Sequence, residues 1–220
     1  MDVFVKVAKL LYKSKKAVVL TGSGISTGSG IQTFRGKDGL WKKYDPDKFT
    51  IDYFKQNPKD FWITARELFI PLLDAKPSVS HTVLAELESM GIIKAVITQN
   101  IDGLHQKAGS KNVLELHGNG TKLKCILCGE EYDLESYLDK INNDDIPRCK
   151  KCNSYLKPDA ILFGEMLPRN TYLKAIYYSY TSDVMLVIGT SLIIEPAGSL
   201  PFQAKEKGAK IVSINIEKTP

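Results

Sequence analysis

The chain has 220 residues, 43% hydrophobic and 25% charged, enough for one domain with an insertion and a core that needs no disulfide staples. No apolar run approaches the roughly 20 residues that span a bilayer, and Met1–Lys16 alternates apolar and charged residues instead of forming a signal peptide. A membrane or secreted protein is therefore argued against, and a cytoplasmic, reducing location is expected. The net charge of +5 is uneven, with ten Lys or Arg against four Asp in residues 1–50, and a solvated lysine face accounts for it more simply than a nucleic-acid site.

Val3, Val7, Leu10 and Leu11 fall at i, i+4, i+7 and i+8, which predicts an amphipathic helix. Ala17–Thr21 (AVVLT) is wholly apolar until its last residue, as a parallel strand buried on both faces should be. It runs into Gly22-Ser23-Gly24-Ile25-Ser26-Thr27-Gly28, a strand-to-helix turn whose glycines would let the backbone approach a pyrophosphate. The third glycine of the usual dinucleotide fingerprint is Thr27 here, so a purely structural tight turn stays open. Residues 36–78, rich in aromatic and basic residues, read as a helical insertion. Ser80 to Met90 predicts a helix with Val83, Leu84 and Leu87 inward and Gly91 as its stop.

Further buried strands are predicted at Ala95–Thr98, Val113–Leu116, Val184–Ile188 and Ile211–Ile214. Strands alternating with helices imply a doubly wound α/β sheet, whose ligands bind beyond the carboxyl ends of the strands. The polar residues that end these strands converge there: Gln99, Asn100 and Asp102; His117; Gly189, Thr190 and Ser191; Asn215 and Glu217. Of the three histidines, His81 reads as structural and His105 as a packing residue at the start of a helix. His117, at a strand's carboxyl end, is the candidate general base.

Residues 119–157 hold all four cysteines as Cys125-x2-Cys128 and Cys149-x2-Cys152, twenty residues apart. That is the spacing of a zinc ribbon, and four thiolates close the tetrahedron, so the expected Zn2+ is structural. Disulfides are the weaker reading.

The ordered set GSGISTGSGIQTFRG (22–36), TQNIDGLHQKAG (98–109), LHGN (116–119), the paired C-x2-C, KPDAILFGE (157–165), GTSL (189–192) and SIN (213–215) resembles the sirtuin family from about Lys16 to Asn215. The resemblance implies a Rossmann-like domain from residues 1–35, 79–118 and 158–220, and a small lobe from 36–78 and 119–157. It implies NAD as co-substrate, with Gly22, Gly24, Ile25, Ser26 and Arg35 around the pyrophosphate and nearby ribose. Gly189, Thr190, Ser191, Asn215 and Glu217 would take the adenosine half. Ile31, Phe34, Gln99, Asn100, Ile101 and Asp102 would line the nicotinamide pocket, with Asn100 and His117 catalytic. An acetyl-lysine protein would lie as a strand along Ile161, Phe163, Gly164, Glu165 and the loop from Ser191 that includes Leu192.

The implied reaction removes acetyl groups from lysine, giving nicotinamide, O-acetyl-ADP-ribose and free lysine. The chain departs from the family pattern at Gln32-Thr33, where Pro-Asp is common, and at Ser23, usually alanine. Threonine there is shared with branches that remove acidic acyl groups, but Phe61–Arg66 lacks the Tyr and Arg, three residues apart, that hold an acyl carboxylate. Deacetylation is therefore expected, with longer neutral acyl groups still open. The resemblance also implies a strand-and-helix segment past Thr219-Pro220 covering the adenine, without which the Michaelis constant for NAD should rise. A monomer is expected. Two other readings remain: a protein mono-ADP-ribosyltransferase using the same site, and a non-enzymatic zinc-ribbon module binding nucleic acid.

Overall fold

A computed structural model describes residues 2–36 and 39–219, so positions 37 and 38 of the helical insertion and the terminal Pro220 lie outside it. In chain order the regular elements are α1 (Val3–Lys13), β1 (Ala17–Thr21), α2 (Ile51–Gln56), α3 (Pro58–Phe69), α4 (Pro71–Asp74), α5 (Val79–Ser89), β2 (Ile93–Thr98), α6 (Leu104–Lys107) and β3 (Val113–Glu115). Beyond these come β4 (Gly118–Cys125), β5 (Glu131–Asp133), α7 (Leu138–Asn142), β6 (Leu156–Ala160), α8 (Arg169–Thr181), β7 (Val184–Ile188), α9 (Leu200–Glu206) and β8 (Lys210–Ile214).

The large sheet is parallel throughout, in the order β3-β2-β1-β7-β8. The chain leaves β1 in one direction to β2 and β3 and later returns on its other side through β7 and β8. The order therefore reverses between β1 and β7, and a crevice opens there at the carboxyl ends. Runs of Val, Ile and Leu make β1, β2 and β7 almost wholly buried, as strands covered on both faces must be. One side packs Val18, Leu20, Ile97, Met185 and Val187 against α8 and α9; the other packs Val19, Ile93, Val96 and Leu186 against Leu84 of α5.

A second, antiparallel sheet in the order β5-β4-β6 shares its core with the helical insertion. Phe49, Phe54, Phe61, Trp62 and Phe69 meet Leu123, Leu134, Ile141, Leu156 and the buried cysteines Cys125 and Cys149. The aromatic rings pack edge to face, as with Phe54 and Phe61 at 5.0 Å, and the Trp62 indole N–H donates to the Leu156 carbonyl at 3.0 Å.

Three expectations change. β8 is an edge strand, exposed at both ends and only partly covered at Ile211 and Val212, because no strand pairs beyond it among the described residues. Val83 is exposed, since the inward row of α5 runs His81–Leu84 at i, i+3 and turns Val83 toward solvent. The turn after β1 is a 3-10 helix over Ser23–Ser29, not an α-helix, and the Thr27 hydroxyl donates back to the Gly24 carbonyl at 3.0 Å.

The glycines of that turn have a cause that local sequence does not contain. A Cβ on Gly22 would meet Thr190 Cβ at 2.7 Å, and one on Gly24 would meet Gly189 Cα at 2.7 Å. The loops after β1 and β7 thus touch backbone to backbone, with Gly24 N–H donating to the Gly189 carbonyl at 2.8 Å. Gly189 itself has φ +63°, and a Cβ there would lie 2.5 Å from Ile25 N. Gly189→Ala is expected to destabilise the protein by roughly 2–4 kcal/mol, by strain and by clash. Gly91→Ala, at φ +72° in open space, should cost only about 1 kcal/mol. Urea midpoints of the two variants check the difference.

Candidate active site

The loop contacts bring the strand ends together. Ser26, Asn100 and Asp102 form a buried polar cluster: the Ser26 hydroxyl donates to Asp102 Oδ2 at 2.6 Å and accepts from Asn100 Nδ2 at 3.0 Å. Asp102 Oδ1 takes the N–H of Leu104 at 2.9 Å, capping the turn into α6. Both Asp102 oxygens are thereby fixed by neutral donors, and the Asn100 amide is pinned beside them. Gln99 reaches across the crevice, its side-chain N–H donating to Thr190 Oγ1 at 2.9 Å. Asn215, exposed after β8, donates to the Thr190 carbonyl at 3.2 Å.

His117 follows β3 with its ring largely covered. Its Nδ1 lies 2.9 Å from the Gln99 carbonyl, which only accepts, so Nδ1 carries the proton and Nε2 keeps its lone pair. Burial lowers the His117 pKa from 6.5, the backbone bond opposes this in part, and the ring is neutral at pH 7. A neutral imidazole with a fixed tautomer and one free nitrogen is a general base.

The remaining residues are placed more loosely. Ile31 and Phe34 are half-buried, with Phe34 against Trp41 at 5.3 Å, and Ile101 leans on the small-lobe core. Arg35 is exposed, its carbonyl accepting from Thr33 Oγ1 at 2.6 Å. Glu217 is exposed and borders Gly36. Ile25 and Leu192 bury their side chains in the large-lobe core, so what they offer a ligand is backbone; Ser191 between them and the crevice is half-buried.

Along the peptide segment, Ile161 N–H donates to the His117 carbonyl at 2.8 Å, which ties this segment to the base. Phe163 spends its N–H on Phe49 and its C=O on Ile51, both at 3.0 Å, and Gly164 follows at φ +87°. Glu165 accepts from Leu162 N–H at 2.8 Å and pairs with the buried Lys157 at 3.0 Å, so it shapes the turn before it can serve a ligand.

Sequence reasoning missed Lys157, a buried cation within β6, and misjudged how near His81 lies to the site. His81 Nδ1 accepts the Ser78 backbone N–H at 3.2 Å, which leaves Nε2–H directed at Ser26 Oγ at 3.5 Å. A polar residue facing the buried side of α5 was the available signal.

Two of the histidines are held neutral by burial. The His105 pKa is pushed from 6.5 to about 3 by desolvation and by the neighbouring His81, and that of His81 is lowered by desolvation. A group depressed in the folded state contributes full stability above its unfolded pKa and loses it as pH falls toward the folded one. His105 alone should therefore cost about 2 kcal/mol at pH 5 relative to neutrality. Denaturation midpoints between pH 7 and pH 5, above most carboxylate titration, measure it.

The four cysteine sulfurs lie within 4.8 Å of one another, Cys125 and Cys149 buried, Cys152 half-buried and Cys128 exposed. Thiolates converging from two C-x2-C turns, with Tyr132 Oη 3.2 Å from Cys149 Sγ, fit a tetrahedral zinc ion and leave no open position. The helical insertion holds no acyl-carboxylate clamp among the described residues, since the Arg66 guanidinium is engaged by Asp144.

A family model described as Sir2 family matches residues 22–196. The NAD-dependent protein deacylase 2 of Archaeoglobus fulgidus is 52% identical over 216 residues, 97% of this chain and 85% of its own length. The NAD-dependent protein deacetylase of Thermotoga maritima is 46% identical over 211 residues, 96% and 86% of the two chains. Among solved structures, a Sir2 protein with a deacetylated p53 peptide and 3'-O-acetyl ADP ribose superposes with a TM-score of 0.94 at 44% identity, covering 99% of this chain and 88% of that one. A Sir2 complex with p53 peptide and NAD+ gives 0.92 at 43%, over 100% and 89%. Among the described residues no helix is long and apolar enough to cross a membrane.

Proposed function

Because this chain belongs to the Sir2 family, we propose that it is an NAD-dependent protein-lysine deacylase acting on acetyl and other neutral acyl groups. The observation that carries the reading is His117, its Nδ1 proton committed to the Gln99 carbonyl and its Nε2 without a hydrogen-bond partner among the described residues, next in the chain of contacts to the buried Ser26–Asn100–Asp102 cluster.

Bound NAD supplies an electrophilic ribose carbon with nicotinamide as leaving group, and hydroxyls that receive the acyl group. The chain's own residues bind, orient and move one proton. Asp102 and Asn100 hold the carboxamide end, with Ile31, Phe34 and Ile101 excluding water from it. Gly22 and Gly24, whose own N–H groups are spent on the Ile188 and Gly189 carbonyls, give the pyrophosphate a side-chain-free approach; Ser26 and Arg35 flank it, and Thr190, Ser191, Asn215 and Glu217 hydrogen-bond the adenosine half. His117 Nε2 takes the proton of a ribose hydroxyl, making it the nucleophile that captures the acyl carbon. Because the Phe163 backbone is already paired, Gly164 and the loop after Ser191 are left to flank an added peptide strand. Residues 1–35, 79–118 and 158–220 serve NAD, while 36–78 and 119–157, with one structural zinc, frame the substrate.

Incubating the protein with NAD and acetyl-, succinyl- and long-acyl-lysine peptides, with products read by mass spectrometry, tests this. Deacylated acetyl peptide with equimolar nicotinamide and O-acetyl-ADP-ribose is expected, and little succinyl turnover, since Arg66 is bound to Asp144. Transfer of ADP-ribose to protein without deacylation would overturn the reading.

A further inference from the structure

Behind the Ser26–Asn100–Asp102 cluster lies a second buried chain of hydrogen bonds, made by side chains that neither hold NAD nor move the proton. Thr21 and Thr98, the last residues of β1 and β2, face each other in register with their Oγ1 atoms 2.8 Å apart. Thr98 Oγ1 also accepts the backbone N–H of Asn100 at 3.0 Å, and Thr21 Oγ1 lies 2.9 Å from Nε2 of His105. Thr21, Thr98 and His105 are all buried.

Proton bookkeeping gives the chain a direction. The Thr21 proton is spent on Thr98, so Thr21 can only accept from His105, and the hydrogen of that ring sits on Nε2. His105 Nδ1 is then a lone pair in the interior with no hydrogen-bond partner among the described residues. The His81 ring lies 4.8 Å away, but its own nitrogens are directed to Ser78 and Ser26. An orphaned buried acceptor destabilises the fold, and an apolar side chain of similar size would not carry that defect. The ring's other nitrogen offsets the defect by fixing the two hydroxyls and, through them, a backbone amide.

That amide is a single peptide plane shared with the base. The N–H of Asn100 that Thr98 holds and the C=O of Gln99 that accepts from His117 Nδ1 are its two ends. The order His105, Thr21, Thr98, amide 99–100, His117 is therefore continuous. We propose that His105 is a positioning residue which, through the two threonine hydroxyls and this one amide, sets the tautomer and orientation of His117. The inference rests on His117 being the base, as proposed above. The depressed pKa of His105 agrees with it, because the ring stays neutral and the direction of the chain does not reverse at working pH.

The test compares His105→Leu, which has no donor, with His105→Gln, whose side-chain N–H reaches toward the position of Nε2, and with Thr21→Val. Three readouts are taken: kcat and KM for acetylated peptide, the urea midpoint, and 15N imidazole shifts, which three histidines make simple to assign. His105→Leu is expected to lower kcat roughly 10- to 100-fold, with KM changed less than about 2-fold and the urea midpoint equal or higher. His117 should then show mixed tautomers. His105→Gln should recover most of kcat, and Thr21→Val combined with His105→Leu should be no worse than either alone. Wild-type kcat in His105→Leu with one His117 tautomer would overturn the proposal, as would activity lost only in step with the folded fraction and no advantage of Gln over Leu. If the wild type itself shows no NAD-dependent turnover, the deacylase reading fails, while the His117 shifts still decide the hydrogen-bonded chain.

Discussion

His117→Ala is expected to lower kcat for NAD-dependent deacylation by about 10²- to 10⁴-fold while leaving the thermal midpoint within a few degrees of wild type. The side chain lies at a loop just past β3, in none of the three core clusters, and contributes a single backbone hydrogen bond, so little packing is lost. No other group can take over. His81 and His105 are turned to Ser78, Ser26 and Thr21, and the Asp102 carboxylate is occupied by Ser26 and Leu104. The same geometry dictates the wild-type pH profile. Burial lowers the His117 pKa, so the base is unprotonated at neutrality and activity should decline on an acid limb below 6.5. Stopped assays at pH 5–8 with one peptide check both points; a variant retaining a tenth of wild-type kcat, or an acid limb above 6.5, would remove His117 from the role.

Stripping zinc should produce the second large effect. Cys125 and Cys149 belong to the same core as Phe54, Phe61 and Trp62, so the metal ties the ribbon to the helical insertion. Structural zinc sites carry on the order of 10–16 kcal/mol of apparent binding free energy. Losing it should unfold the small lobe rather than merely loosen it. The chain has two tryptophans, Trp41 and Trp62, and both lie in this lobe, so intrinsic fluorescence reads it without interference from the α/β sheet. A strong chelator is expected to shift tryptophan emission to the red as one equivalent of zinc is released, with Cys149→Ser already shifted before treatment. Release of the ion with unchanged emission would show that the aromatic core stands without it.

Much of this arrangement could be read from the chain, and the parts that could not share a physical reason. β1, β2 and β7 were legible because a strand buried on both faces is apolar over most of its length. The same rule misled for β8, whose Ile211–Ile214 run reads as buried but lies at the sheet edge, since composition does not say whether a neighbour is present. Gly22 and Gly24 were recognised as a close approach, yet what approaches them is the Gly189–Thr190 backbone, and that contact joins residues far apart in sequence. The pairing of β4 with β6 is likewise long-range and broken by a bulge between Asn119 and Leu123. His117 could be found from its place at a strand end. The His105–Thr21–Thr98 chain could not, because hydroxyl directions appear only after three elements are packed.

The central position of β1 also shapes how the chain must assemble. Ala17 pairs with Ile93 on one side and with Val184 on the other, so the most buried strand of the sheet is made early and completed late. At about 5–20 residues per second, β1 waits on a ribosome on the order of ten seconds or more before β7 emerges. Throughout that interval its Val and Leu side chains and one unpaired backbone edge face solvent. The small-lobe core has the same delay, since Phe49–Leu72 cannot close on Leu156 and Leu162 until those are synthesised. Folding of this protein is therefore gated by long loop closures rather than by local structure, and its vulnerable species is the nascent chain rather than the finished enzyme.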